Sequence, residues 1–163
     1  MSWIIVVSDT HGKISATLNA LQHFEQYSPA AVIHCGDICG PEIVSLFDRW
    51  PTHFVFGNND YDHLNLRRSM EAAGHTCHGE FGSLELEERK IAFLHGDDGR
   101  RFDRTVHSGN YDLVCYGHSH IMDFRQVGPT WVLNPGALHR ARHLSFAVLD
   151  LETMDCRHVI VEH

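Results

Sequence analysis

The sequence predicts an α/β fold with mixed sheets, and three observations carry the prediction. Apolar runs of four to six residues, rich in Val, Ile and Phe, recur along the chain and stop at Gly, Asp, Asn or His, as buried strands do where they enter loops. The first two runs enclose a segment of helical period, a βαβ start. The second half holds more paired strand than helix.

Strands are expected near residues 3–7, 31–35, 53–56, 83–87, 90–94, 112–116, 130–134, 144–149 and 157–161. Between the first two, residues 15–27 place Leu18, Leu21, Phe24 and Tyr27 at helical spacing, and Ser28-Pro29 ends the segment. A second helix is expected at 41–49, opened by Pro41 and carrying Ile43, Val44 and Phe47, and a third near 62–73. Residues 83–87 alternate as Ser-Leu-Glu-Leu-Glu, and Glu88-Arg89 is expected to turn them back into 90–94 as a hairpin. No repeat, low-complexity segment or composition break divides the 163 residues, so one domain spanning 1–163 is expected.

Charge and composition narrow the function classes. With 13 Lys+Arg against 21 Asp+Glu, the formal charge of −8 speaks against non-specific affinity for nucleic acid or anionic membrane. The run Trp3–Val7 is too short for a signal-peptide core or a membrane span, which implies a cytoplasmic protein. Five cysteines without a Cys-x-x-Cys pair read as reduced thiols, although Cys35 and Cys39 flank Asp37, where a thiol could sense oxidation. Fifteen histidines outnumber Lys and Arg together, and imidazole is a common metal ligand.

Position gives those histidines meaning. Asp9-Thr10-His11, Gly36-Asp37, Gly57-Asn58-Asn59-Asp60, His95-Gly96 and Gly117-His118-Ser119-His120 each follow an expected strand, and ligands of open α/β sheets bind at the carboxyl ends of strands. Asp9/His11 and His118/His120 would each put two side chains on one side of an extended backbone. Gly36, Gly57 and Gly117 would permit sharp exits and close backbone approach. Two carboxylates, four imidazoles and an amide oxygen suit first-row metals rather than calcium. Any one Asp-x-His pair is expected by chance in so His-rich a chain; the ordered series at strand ends is not.

In these motifs, and in Asn134-Pro135-Gly136-Ala137 with Ala in place of a more usual Ser, the chain resembles the calcineurin-like metallophosphoesterase superfamily, specifically its small YfcE-like phosphodiesterases, over nearly its whole length. The resemblance implies a four-layer α/β/β/α sandwich of two mixed sheets flanked by helices, and two divalent metal ions, manganese foremost, with nickel, iron or zinc as alternatives. It assigns Asp9, His11, Asp37 and His120 to one ion, and Asp37, Asn58, His95 and His118 to the other, with Asp37 bridging. Asp37, Asn58 and His118 would also serve catalysis. Such a centre supplies metal-activated hydroxide and clamps the phosphoryl oxygens of a small phosphodiester. The same core would serve a phosphomonoesterase or a nucleotide-pyrophosphate hydrolase. A retromer-coat relative uses the fold as a protein-binding scaffold but has lost much of the ligand set. Chains of this fold also pair into homo-oligomers.

Many members of the superfamily carry His where this chain has Asn59, and that His is thought to protonate the leaving oxygen. An amide is no proton donor, so good leaving groups, or a proton from water or Asp60, would be needed. Arg100 or Arg101 could meet substrate phosphate, against a solvated loop leading into a helix as the plainer reading. Asp97 and Asp98 could support the ligand His95. His34 reads as a hydrogen-bonded core residue. His139, Arg140 and His143 read as a mobile surface loop rather than a pocket rim. His53, His63, His75, His78, His107, His158 and His163 show no usable pattern.

Overall fold

The computed structural model describes residues 2–161, so His163 lies outside the described residues. The chain builds β1 (Trp3–Val7), α1 (Ile14–Leu21), β2 (Ala31–His34), α2 (Pro41–Leu46), β3 (Thr52–Phe54), α3 (His63–Ala72) and β4 (Thr76–Cys77). It continues through β5 (Phe81–Leu86), β6 (Arg89–Leu94), α4 (Gly99–His107), β7 (Leu113–Cys115), β8 (Asp123–Val127), β9 (Thr130–Asn134), β10 (Leu144–Asp150) and β11 (Asp155–Val161). A six-stranded sheet runs β11-β10-β1-β2-β3-β4 and a five-stranded sheet β5-β6-β7-β9-β8. Within them β1, β2, β3 and β4 are mutually parallel, as are β6, β7 and β9; the remaining pairings are antiparallel.

Strand alternation creates the layers. In β1, Ile5 and Val7 join Phe24, Ile43, Phe47 and Met70 beneath α1, α2 and α3, while Ile4 and Val6 face the second sheet. In β6, Ile91 and Phe93 meet them from across the gap, and Ala92 and Leu94 turn outward to Val106 and Phe102 of α4. Three apolar interfaces between four layers give the α/β/β/α sandwich.

Several boundaries differ from expectation, each for a local reason. The helix expected over 15–27 ends at Leu21 and a 3-10 turn, Glu25–Tyr27, follows, which brings Phe24 fully into the core and leaves Leu18 43% exposed. Helix α2 stops three residues short of position 49 and gives way to a turn over 47–49 ahead of Trp50-Pro51. Asp62 caps α3 through Asn65 N–H at 3.1 Å. The hairpin turn is Glu87-Glu88, one residue earlier than expected; both have positive φ, 51° and 63°, as the tight turn between Leu86 and Arg89 requires. Strand β4 is two residues long and β8 is the polar edge strand Asp-Phe-Arg-Gln-Val, so neither shows an apolar run. Polar α4 contributes little more than Phe102, Thr105 and Val106 to the interior.

Candidate metal centre

Asp9, Asp37 and the 57–60 loop follow the parallel strands β1, β2 and β3 of one sheet; His95 and the 117–120 loop follow β6 and β7 of the other. Both sheets therefore deliver their strand ends to one crevice. The two-residue pairs converge differently from expectation. Asp9 and His11 have φ of 56° and 45°, and His118 and His120 of 69° and 63°, so left-handed turns aim them, not extended alternation. Asp37 shares the conformation at 57°.

Five expected ligands come together. Asp9 Oδ1 lies 3.2 Å from His120 Nε2, 3.5 Å from His11 Nε2 and 3.8 Å from His95 Nε2. Asp37 Oδ2 lies 3.3 Å from His11 Nε2 and 3.4 Å from His95 Nε2. The other two expected ligands stand at the margin. His118 packs its ring against His95 with centroids 5.1 Å apart and donates its backbone N–H to Asp9 Oδ2 at 3.1 Å. Asn58 is exposed on the wall of a narrow cavity of about 80 Å³ that it shares with His95, Asp97, Asp98 and Arg101.

Outer contacts orient the imidazoles. A carbonyl only accepts, so His95 Nδ1–H donates to Cys35 O at 2.8 Å and His120 Nδ1–H to Arg140 O at 3.2 Å, which turns each Nε2 inward. Asp9 Oδ2 accepts from Ser8 Oγ at 2.6 Å, leaving Oδ1 to the crevice. Asp9 Oδ1, His11 Nε2 and His95 Nε2 are buried without hydrogen-bond partners. Orphaned inward-facing donor atoms of mixed N/O type, grouped as Asp9/His11/His120 and Asp9/Asp37/His95 within 4.8 Å, fit a first-row cation.

The carboxylates titrate accordingly. Burial pushes Asp9 up, but His11, His95, Ser8 and His120 outweigh it and hold the carboxyl below its usual range. Burial likewise opposes ionisation of Asp37, yet His95 and the Asn59 donors hold it well below. Burial pulls His95 down, and the two carboxylates override that and raise it to about 9.

Glycines make the convergence sterically feasible. A Cβ on Gly57 would collide with Asp37 Oδ1, and one on Gly117 with Ser8 Oγ and Asp9. Asp60, expected as an alternative to water as a proton source, organises the loops around Asp37, and burial pushes its carboxyl above the usual range. Its Oδ1 accepts from Ile38 N–H (2.9 Å) and Cys39 N–H (2.8 Å), its Oδ2 from Asp37 N–H (2.9 Å) and Gly57 N–H (2.8 Å). All its acceptor capacity is committed to the backbone that presents Asp37. Asn59 donates N–H and Nδ2–H to Asp37 Oδ1 and Oδ2, both at 2.9 Å, and accepts from Tyr61 O–H at 3.2 Å.

Of the other expectations, His34 is fully buried, bonded to Thr10 Oγ1 at 3.0 Å and Gly36 N–H at 3.1 Å, and burial lowers it to about 3. Asn134 Nδ2 holds Gly117 O and Ser119 Oγ, so the Asn-Pro-Gly element braces the His118-Ser119-His120 loop. Cys35 is buried; Cys39 is exposed, its Sγ 3.8 Å from His11 Nδ1. Asp98 caps α4 through Arg101 N–H, and Arg101 pairs with Glu80 at 3.8 Å, as a loop leading into a helix does. His139 and Arg140 correct the surface-loop reading. With His11, Asp37, Asn59, His118 and His120 they line a cavity of about 410 Å³, and the His139 ring sits 4.7 Å from that of His11. His143 is exposed.

The fold and this centre define a phosphoric ester hydrolase. Residues 2–154 match the calcineurin-like phosphoesterase superfamily domain, and the chain belongs to that superfamily. It is 27% identical over 162 residues, 96% of this chain and 98% of the relative, to a phosphodiesterase of Methanocaldococcus jannaschii. A solved archaeal phosphodiesterase superposes with a TM-score of 0.91 at 27% identity, over 98% of this chain and 99% of that one. The E. coli phosphoesterase YfcE, 18% identical with a TM-score of 0.67 over 98% of this chain and all of the other, shares the fold.

Proposed function

We propose that this chain is a two-metal phosphodiesterase acting on a small phosphodiester, with Asp9, His11, Asp37 and His120 holding one divalent ion and Asp37, Asn58, His95 and His118 the other. The observation that carries the reading is the trio of buried, unpartnered atoms, Asp9 Oδ1, His11 Nε2 and His95 Nε2, facing one another at the strand ends. Asp37 Oδ2, 3.3 Å from His11 Nε2 and 3.4 Å from His95 Nε2, supports its reading as the bridging carboxylate. Manganese suits the donor set, with nickel, iron and zinc as alternatives.

When bound, such a pair of ions supplies Lewis acidity and an activated water-derived nucleophile. The chain contributes orientation. Asp60 and Asn59 hold Asp37 in place, Cys35 O and Arg140 O aim two imidazoles, and Arg140 adds a permanent cation on the cavity wall for an anionic substrate. Asn59 leaves no side-chain acid at its position, since its amide is engaged with Asp37 and Tyr61.

The test is hydrolysis of bis(nitrophenyl) phosphate and nitrophenyl phosphate by metal-stripped protein supplied with Mn, Ni, Zn or Mg, beside Asp37→Asn. Metal-dependent cleavage favouring the diester and lost in the variant is expected. Faster monoester cleavage would move the assignment to a phosphomonoesterase; inactivity without metal uptake would favour a protein-binding scaffold.

A further inference from the structure

Two grooves open from the walls of the metal cavity. The first, about 540 Å³, lies between the start of α1 and the 138–144 loop and shares His139 and Arg140 with the cavity. Its walls are mainly apolar, with Ile14, Ala16, Leu138, Ala141 and Leu144, and Lys13 is its second cation. Ile14 and Leu18, one turn apart on α1, are 44% and 43% exposed, so an apolar stripe runs from this groove along the helix. The second groove, about 510 Å³, shares His11 and Asn59 with the cavity and is lined by Pro41, Tyr61 and Leu66. Tyr61 is 83% exposed, with its hydroxyl donating to Asn59, and so offers a ring face to solvent.

Each groove has the volume of a small-ligand site, and each reaches the cavity through its own pair of wall residues. A monoester needs one groove; a diester needs two. The narrow cavity beside Asn58 is too small for an organic substituent, and its Arg101 is held by Glu80.

Resting on the phosphodiesterase reading, we propose that the substrate is a diester with two apolar or aromatic substituents, one seated in the α1 groove against Ile14 and Ala141, the other on the Tyr61 ring. Apolar walls favour such an arm by removing its surface from water, and Arg140 and Lys13 add cations that an aromatic face attracts. Arg140 stands where groove and cavity meet, within reach of the phosphoryl charge as well.

The probes are non-hydrolysable diphenylphosphinate and dimethylphosphinate, titrated calorimetrically into manganese-loaded protein, with KM for bis(nitrophenyl) and methyl nitrophenyl phosphate measured in parallel. Diphenylphosphinate is expected to bind at least tenfold tighter than the dimethyl compound. Ile14→Glu and Tyr61→Ala should each remove several-fold of that preference. Circular dichroism and manganese uptake at the parent level report an intact fold in both variants. Equal binding of the two phosphinates, or a preference that survives both Ile14→Glu and Tyr61→Ala, would overturn the proposal. Selective binding without turnover of any ester would overturn the hydrolase reading instead and leave the two subsites standing.

Discussion

Asp60→Asn isolates what holds the centre together. Asp60 accepts four backbone N–H groups in a site 3% exposed, and an asparagine of the same shape keeps only one acceptor oxygen. Whichever way the amide is turned, its NH2 group faces two N–H donors, either the buried pair of Asp37 and Gly57 or those of Ile38, buried, and Cys39, part-buried. Each donor left unpaired costs about 1–3 kcal/mol, so the substitution should cost about 4 kcal/mol, a large share of the roughly 5–15 kcal/mol that domains possess. Urea unfolding of metal-free protein reads this as a midpoint lowered by about 2 M if the slope is about 2 kcal/mol/M. Manganese affinity should fall with it, because the two donors at Asp37 and Gly57 fix the bridging position. A midpoint shift below about 0.5 M would refute the view of Asp60 as the organiser of that loop.

Three further outcomes are expected. Metal-free protein should be most stable near pH 7, because His53, lowered to about 4 by burial, adds to the acid limb. His34, lowered to about 3, contributes stability above pH 6.5 that is lost as pH falls toward 3, about 2 kcal/mol by pH 5, whereas His95, raised to about 9, contributes stability below pH 6.5 that is lost as pH rises through 9; denaturation midpoints from pH 5 to 9.5 would show both limbs. Manganese binding at pH 7.5 should release about one proton per chain more than above pH 9.5, the difference being displaced from His95, as calorimetry in buffers of different ionisation enthalpy should show. With Asn59 engaged at Asp37, kcat/KM across substituted aryl diesters should fall steeply as the leaving group becomes more basic, and Asn59→His should flatten that dependence; a shallow slope in the parent protein would locate an acid elsewhere.

The fold was legible because its buried strands are written as apolar runs, and β1, β2, β6, β9 and β10 lie within a residue or two of where those runs place them. Strands β4 and β8 were not, one being too short and the other a solvated edge whose hydrogen bonds, not side chains, place it. The ligand series was visible as motifs at strand ends, but the means of convergence was not. Left-handed backbone at Asp9, His11, Asp37, His118 and His120 depends on tertiary contacts such as those of Asp60 and Asn134. Nothing local in the sequence marks His139 and Arg140 as a rim loop rather than a surface loop; the His120–Arg140 bond and the approach to His11 do.

The most direct measurement of the central proposal is the manganese content of the purified protein at saturation, by elemental mass spectrometry against protein concentration, for the parent chain and Asp37→Asn. Two ions per chain, falling to one or fewer in the variant, is the expected result. One ion per chain in the parent, or two that persist without the Asp37 carboxylate, would contradict a centre bridged by Asp37.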